Sequence, residues 1–408
     1  MTRRVLYSIG IVILIGAIAA VIITYSRGYR LDFRQKTLTT TGILSAFSTP
    51  DGASIFIDGK LVSATTASII LPPGWYQVRI GKEGYQPWEK QIRIQSEEVS
   101  RVEALLIPTN PSLRALTATG IYSPVLSSSS IKLAYIIPKE ESTSSATLKP
   151  KTGIWILDLR NGPLGTKNEP KQIFRPTTTY DWQNAHLYWS PDEKKVMVTF
   201  SRKERGQETI SAAFQLNADS TDSLPTNITL SASKLLSDWQ INDQERQKIQ
   251  IATLSSHITD ILDNSVSSIH FSPDETKILY LATASATLSQ IIFPPLIGSN
   301  PTSEIRTVMK GKFYIYDVKE DKNYLIAEQK VIPDARNLIW HSDSKHIIII
   351  EKDTISIMDY DGTNKRSVYT GPFEETIVFP KPGEGKLLIL TNLIKSQTLP
   401  YLYEIDLR

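Results

Sequence analysis

The chain has 408 residues, 41% hydrophobic and 21% charged, which excludes wholesale disorder and is long enough for two or more domains. A net charge of +3 offers no concentrated basic face, so nucleic acid is not an expected partner. No cysteine is present, which rules out disulfides, thiolate metal sites and a cysteine nucleophile.

A short tail carrying Arg3 and Arg4 precedes Val5 to Thr24, which is almost wholly apolar. About 20 such residues match the ~30 Å hydrocarbon core of a bilayer, so residues 1–25 are read as a tail and a single-pass transmembrane helix. A cleaved signal peptide is the competing reading, because Ala17-Ile18-Ala19 has the small-x-small form. Val21-Ile22-Ile23 carries the apolar run past a usual signal core and favours an uncleaved anchor. Gly16 and Ala20 form a weak small-residue pair. Arg27, Arg30, Arg34 and Lys36 follow the helix, and this charge balance favours a cytoplasmic C-terminal part. The short N-terminal tail and the modules that follow point instead to a cytoplasmic N-terminus with the bulk of the chain outside the cell membrane.

Residues 26–41 read as a linker, in which Tyr29, Leu31 and Phe33 alternate with Arg30, Asp32 and Arg34 as in an extended segment. Residues 42–108 read as a small antiparallel β-sandwich. Ile55 and Ile57 lead to an Asp58-Gly59 turn, and Pro72-Pro73-Gly74 makes another. Tyr76, Val78 and Ile80 share one strand face, and Trp88, Ile92 and Ile94 continue the apolar side.

Four motifs in this stretch occur in a characteristic order: Ser48-Thr49-Pro50-Asp51-Gly52-Ala53, Ile55-Phe56-Ile57-Asp58-Gly59, Leu71-Pro72-Pro73-Gly74 and Gly84-Tyr85. Together they resemble a PEGA domain, with the naming tetrad written Pro-Asp-Gly-Ala. The resemblance implies an extracytoplasmic surface module, often beside a membrane anchor, and brings no catalytic residue. Trp75, Tyr76, Tyr85 and Trp88 cluster there in sequence. They are candidate binding residues, as an aromatic platform for a glycan, weighed against plain strand packing.

Residues 109–408 hold a repeat. Trp189-Ser190-Pro191-Asp192 returns as Phe271-Ser272-Pro273-Asp274 and, altered, as Trp340-His341-Ser342-Asp343. Weaker copies are read at Tyr122-Ser123-Pro124 and Phe379-Pro380. β-Branched runs follow, then strands ending in Asp at Asp158, Asp317, Asp359 and Asp406. Strand, turn, strand and strand again is the rhythm of a propeller blade, and it resembles the TolB-like, WD-repeat-related β-propellers. The expected fold class is therefore all-β: a transmembrane helix, a PEGA-like sandwich and a five- or six-bladed propeller, six if residues 200–232 contain a further blade. Arg408 follows a third strand, so residues near 112–118 are expected to supply the last blade's fourth. Residues 233–264 break the rhythm. Leu235, Leu236 and Trp239, then Ile251, Leu254, Ile258 and Ile261, predict two helices, the second capped at Asn242-Asp243. This insertion either packs on the propeller or carries a partner-binding face. Residues 139–151 and 161–170 read as exposed polar loops.

No catalytic constellation emerges. The Ser-Pro-Asp copies are turn chemistry, since a nucleophile would not recur on every blade. The histidines His186, His257, His270, His341 and His346 make no H-E-x-x-H motif, and no nucleophile elbow or phosphate loop is present. Asp359, Asp361 and Asn364 only faintly suggest a Ca²⁺ loop. No metal or cofactor is expected. The expected role is a membrane-anchored extracytoplasmic scaffold that binds an envelope protein or glycan. Two rivals stand beside it: a propeller hydrolase or lyase acting on envelope glycans, and a self-associating S-layer-like surface component.

Overall fold

The computed structural model describes the chain except residues 1, 27–29, 33–36, 139–151, 161–167, 176–184, 205–206, 221–223, 375–376, 384 and 394–398. The polar loops expected at 139–151 and over most of 161–170 lie outside the described residues, as do Arg27, Arg34 and Lys36. The chain is mostly β. Helix α1 spans Thr2–Ser26, and every side chain described in it, those of residues 7–20, 22 and 23, is exposed. Among the described residues no helix is long and apolar enough to cross a membrane, so the span expected over Val5 to Thr24 is not established by the fold. Arg30–Asp32 and Thr37–Thr39 pair as a short antiparallel hairpin before the first domain.

That domain is two stacked sheets. Ala67–Leu71, Gly42–Thr49 and Val99–Leu105 form one, and Lys60–Ala64, Ser54–Ile57, Gly74–Gly81 and Trp88–Ile94 the other. Their inner faces meet in one core that includes Leu44, Ile55, Val78, Ile80, Trp88, Ile94 and Leu106. The tight turn after Ile57 follows from Asp58 and Gly59, both at positive φ (48° and 78°), the backbone a two-residue hairpin demands. The sequence predicts an antiparallel domain throughout, but Gly42–Thr49 pairs in parallel with Val99–Leu105. These are the first and last long strands, and they lie side by side because the intervening sheet crosses the sandwich between them.

Beyond the sandwich, five four-stranded antiparallel sheets follow in chain order among the described residues. Blade 1 is Tyr122–Leu126, Lys132–Ile137, Gly153–Asp158 and Lys171–Phe174; blade 2 is Ala185–Trp189, Lys195–Glu204, Gln207–Asn217 and Thr226–Asn227. Blade 3 is Val266–Phe271, Lys277–Ala282, Lys312–Asp317 and Lys322–Glu328; blade 4 is Leu338–Trp340, His346–Glu351, Thr354–Asp359 and Arg366–Thr370. Blade 5 is Val378–Lys381, Lys386–Thr391 and Tyr401–Asp406, completed by Leu113–Ala115 from the start of the ring. Leu113 pairs with Ile405, Arg114 with Glu404 and Ala115 with Tyr403. Residues 200–232, where a sixth blade was an option, belong to blade 2 up to Asn227, because its two middle strands are 10 and 11 residues long.

Apolar clusters join blade 1 to 2, blade 3 to 4, blade 4 to 5 and blade 5 to 1. Between blades 2 and 3 the insertion takes this role. Helix α2 (Ala232–Ala252) lays Leu235, Leu236 and Trp239 on blade 2, whereas Ile251 and Leu254, with Ile258, Ile261 and Leu262 of α3 (Ser256–Asn264), pack on blade 3. Gln247 Nε2 donates to Ile269 O at 2.7 Å, and Gln250 Nε2 to Glu275 Oε1 at 2.7 Å. Asn242 and Asp243 do not cap the second helix as the sequence predicts. They lie exposed inside α2, and the break falls at Thr253–Ser255, where Ser255 is extended.

The Ser-Pro-Asp copies form turns between first and second strands. Ser190 Oγ donates to Asp192 Oδ1 at 2.6 Å and Ser272 Oγ to Asp274 Oδ1 at 2.7 Å, so each Asp ties down its own turn. The aromatic before them bridges to the preceding blade: Trp189 Nε1 donates to Val125 O at 2.9 Å and Trp340 Nε1 to His270 O at 3.0 Å. Two weaker copies are corrected. Tyr122-Ser123-Pro124 and Phe379-Pro380 lie within first strands. The blade 1 turn is made by Ser127 to Ser130, with the Ser127 hydroxyl accepting from Lys132 N.

Ring closure generates a direct expectation. Deleting Leu113–Ala115 leaves Tyr401–Asp406 as an unpaired edge and should lower the melting temperature by more than about 10 °C, with aggregation. An unchanged melting curve would contradict this role.

Candidate functional site

The sandwich is seated on blades 3 and 4, and the seam between them carries a dense set of polar contacts. Gln86 to Lys90, at the start of the strand Trp88–Ile94, meets the last hairpin of blade 4. Gln86 Nε2 donates to Ser367 O at 3.0 Å, Arg366 Nη2 to Pro87 O at 2.8 Å, and Glu89 N to Asn364 Oδ1 at 3.0 Å. Trp88 is buried, with its ring in the sandwich core and Nε1 donating to Asp359 Oδ2 at 3.0 Å. Asp359 ends the third strand of blade 4, so the strand-ending Asp of the repeat becomes a docking acceptor.

Two residues on, the fully buried Asp361 carboxylate pairs with Lys90. It also accepts from Asn300 Nδ2 (2.7 Å), Thr302 Oγ1 (2.6 Å) and Thr363 Oγ1 (2.6 Å). Burial alone would raise its pKa. Lys90, with Thr302 and Thr363, outweighs burial and holds it down at about 2. The Ca²⁺-loop idea for Asp359, Asp361 and Asn364 is superseded here, because the first two are committed to the seam and Asn364 Nδ2 donates to Asp359 Oδ2 at 3.0 Å.

A cleft of about 430 Å³ opens beside these contacts, between the sandwich strands and blades 3 and 4. Exposed Arg93, Arg101, Lys319 and Lys345 meet Glu103 and Glu320 around it. Lys345 pairs with Glu103, linking blade 4 to the sandwich a second time. Burial raises the Glu320 pKa, although Asn300 N donates to its Oε2 at 2.9 Å. Burial likewise raises the Tyr324 hydroxyl, which lies against blade 4 Tyr360 without a hydrogen bond. Such a mixture of both signs, half desolvated, suits polar recognition.

The four aromatic candidates do not form a platform. Trp75 is 52% exposed, with the Arg93 guanidinium 5.8 Å from its ring centroid. The Tyr76 hydroxyl donates to Pro72 O at 3.0 Å, and Tyr85 is half-buried, bridged to Pro108. Trp88 faces the core. Only Trp75 is presented to solvent, beside the cleft through its strand partner Arg93.

Among the described residues one cluster could hold a metal. His341, Asp343 and His346 offer ligand atoms within 4.8 Å of one another, so Asp343 is the carboxylate that sequence spacing alone does not connect to the two histidines. His346 Nδ1 lies 2.7 Å from Asp343 Oδ2, and Nε2 lies 3.4 Å from Asp359 Oδ1. Burial opposes charge on this ring, but the two carboxylates outweigh it and raise its pKa to about 10. Asp343 is pushed far below the usual carboxylate range: burial would raise it, and His341 and His346 overcome that.

No curated protein matches the sequence. Among solved structures the chain is similar to a putative TolB from Agrobacterium tumefaciens, with 12% identity over 68% of this chain and 71% of that one, at a TM-score of 0.20. TolB from Acinetobacter baumannii gives 13% identity over 81% and 59%, at 0.22. An oligogalacturonate lyase from Vibrio parahaemolyticus gives 10% over 93% and 96%, at 0.21. At such scores the propeller assignment rests on the five sheets and their closure instead.

Lys90→Met leaves Asp361 buried without its cation and should destabilise the fold by about 3–5 kcal/mol, read by chemical denaturation at pH 7. Asp361 has a folded pKa below its unfolded value of about 4, so its stabilisation is present above pH 4 and lost as pH falls through about 2. The wild type should lose stability across that window more steeply than Lys90→Met. Trp88→Phe keeps an aromatic ring but removes the donor to Asp359 and part of a buried indole, and should cost about 2–4 kcal/mol. A family comparison matches residues 41–110, and with the two-sheet core described above these residues are a PEGA domain.

Proposed function

We propose that this chain is a membrane-anchored binding or scaffold protein of the cell envelope, with α1 as the anchor and the PEGA domain and propeller together as the recognition unit on the outer side. The anchor is supported by the apolar run Val5 to Thr24 and by α1 itself. Ile11 to Ile15 are five consecutive apolar residues, each 57–69% exposed. Five residues cover more than a full helical turn, so the helix has no polar face there to turn towards water.

The observation that carries the binding reading is the cleft at the seam. Its walls come from both modules, and the contacts from Gln86 to Lys90, with the Trp88–Asp359 bond buried among them, hold those walls in place. Arg93 and Lys319 stand exposed on opposite walls, with Trp75 beside Arg93. A rigid cleft with cations and a flanking aromatic fits an acidic protein segment or an anionic glycan, and it requires no catalytic step.

The test uses the full chain solubilised in detergent from its own membranes after crosslinking. Arg93→Glu with Lys319→Glu should abolish co-purification of partners seen with the wild type, at unchanged melting temperature. Equal recovery with both forms would contradict the assignment of the cleft. Orientation is read separately: a reporter at Arg408 that is active only outside the cytoplasm should be active, and an inactive reporter would reverse the topology.

A further inference from the structure

Four propeller turns share a backbone hydrogen bond that aligns them residue for residue: Ser127 N to Lys132 O (2.8 Å), Ser190 N to Lys195 O (2.9 Å), Ser272 N to Lys277 O (2.8 Å) and His341 N to His346 O (3.0 Å). In blades 2 and 3 the aligned side chains are Ser, Asp and Lys. Each serine hydroxyl donates to the Asp and accepts the Lys N–H, at 3.0 Å for Ser190 and 2.9 Å for Ser272, so the turn satisfies its own polar atoms. In blade 4 the same positions carry His341, Asp343 and His346.

Asp343 keeps the turn role with Oδ1, which accepts from Lys345 N at 2.8 Å and His346 N at 3.2 Å. Its Oδ2 faces the imidazoles, 2.7 Å from His346 Nδ1 and 3.1 Å from His341 Nδ1. His341 is 3% exposed, yet neither of its ring nitrogens makes a hydrogen bond among the described residues. The Asp343 carboxylate is near Nδ1 but out of line for a hydrogen bond, and Nε2 has no partner among the described residues; burying an imidazole so poorly satisfied is costly, and the serine found in the sister turns would avoid that cost.

We propose that His341, Asp343 and His346 form a binding site for a zinc-class divalent cation. Two imidazoles and one carboxylate are a donor set that zinc accepts, whereas calcium and magnesium take mainly oxygen ligands. The separations of 2.7 and 3.1 Å approach the roughly 3.3 Å between neighbouring donors around a four-coordinate zinc with bonds near 2.0 Å. Zinc takes the place of the proton on His346 Nδ1, and that proton is released to solvent.

The outer partner is also in place. Asp359 Oδ1 lies 3.4 Å from His346 Nε2, and its Oδ2 is fixed by Trp88 Nε1 and Asn364 Nδ2, each at 3.0 Å. A carboxylate behind a ligating histidine is the usual arrangement for orienting the ring. A cleft of about 470 Å³ bordered by the three residues admits water to complete the coordination. Arg101, Lys345 and Arg408 also line it. Arg101 and Lys345 are both paired with Glu103, which reduces their repulsion of a cation. The site lies under the PEGA seam, so metal binding and docking share Asp359.

The experiment uses the full chain on a histidine-free tag, stripped with chelator and titrated with Zn²⁺ and, in parallel, with Co²⁺ as a spectroscopic probe. The wild type should bind one Zn²⁺ per chain and gain the visible absorption of a low-coordinate Co²⁺ site. His341→Ser restores the serine of the sister turns and should keep the fold by circular dichroism. It should weaken binding by at least about 100-fold and abolish the Co²⁺ band. If His341→Ser does not fold, His346→Lys, drawn from the same alignment, carries the same test. Absence of stoichiometric binding to the wild type, or equal binding by the variant, would overturn the site.

Discussion

The pairing of Leu113–Ala115 with Tyr403 to Ile405 governs the rest of the molecule. It closes the ring by joining residues nearly 300 apart in sequence, and it removes an open sheet edge. It also fixes the PEGA domain, because the last strand of that domain ends at Leu105, only eight residues before Leu113. The short connection is itself core. Leu106 is buried in the sandwich, whereas Leu105 and Ile107 pack with blades 4 and 5. The PEGA domain therefore cannot swing away without withdrawing side chains from the propeller and pulling on the closing strand.

The same constraint explains where polar complexity accumulates. Blade 4 lies under the sandwich, and its turns carry the polar side chains that meet it. Asp359 accepts from Trp88, Asp361 pairs with Lys90, and the turn at His341 exchanges hydroxyl chemistry for two imidazoles. Blades 2 and 3, whose Ser-Pro-Asp turns are regular, are instead separated by α2 and α3, which supply apolar contact to both sides. Turns and sheet-to-sheet packing make the ring; the polar side chains of blade 4 build the seam.

Much of the ring was legible because its signals are local. Ser-Pro-Asp encodes a turn through the chemistry of three adjacent residues, and Asp58-Gly59 encodes another through positive φ. The fourth strand of blade 5, Leu113–Ala115, falls within the stretch 112–118 expected to supply it. The misreadings have equally local causes. Tyr122-Ser123-Pro124 imitates a turn motif but sits in a strand, whereas the working turn, Ser127 to Ser130, lacks both proline and aspartate. Asn242-Asp243 has capping side chains but no strand or loop before it to break the helix. The seam was illegible for a different reason: Trp88 and Asp359 lie 271 positions apart, and no periodicity connects them. His341 was visible in the altered copy of the repeat, yet only the folded turn brings Asp343 between it and His346.

Rigid docking of the PEGA domain on the propeller is the claim on which the seam, the cleft and the shared role of Asp359 all depend. The native chain contains no cysteine, so cysteines introduced at exposed Ser96 and Lys352 carry a unique pair of spin labels. Their distance distribution, measured by pulsed electron resonance on the full chain, tests the claim most directly. One narrow distance is predicted; a broad or bimodal distribution would show the two modules moving independently and contradict it.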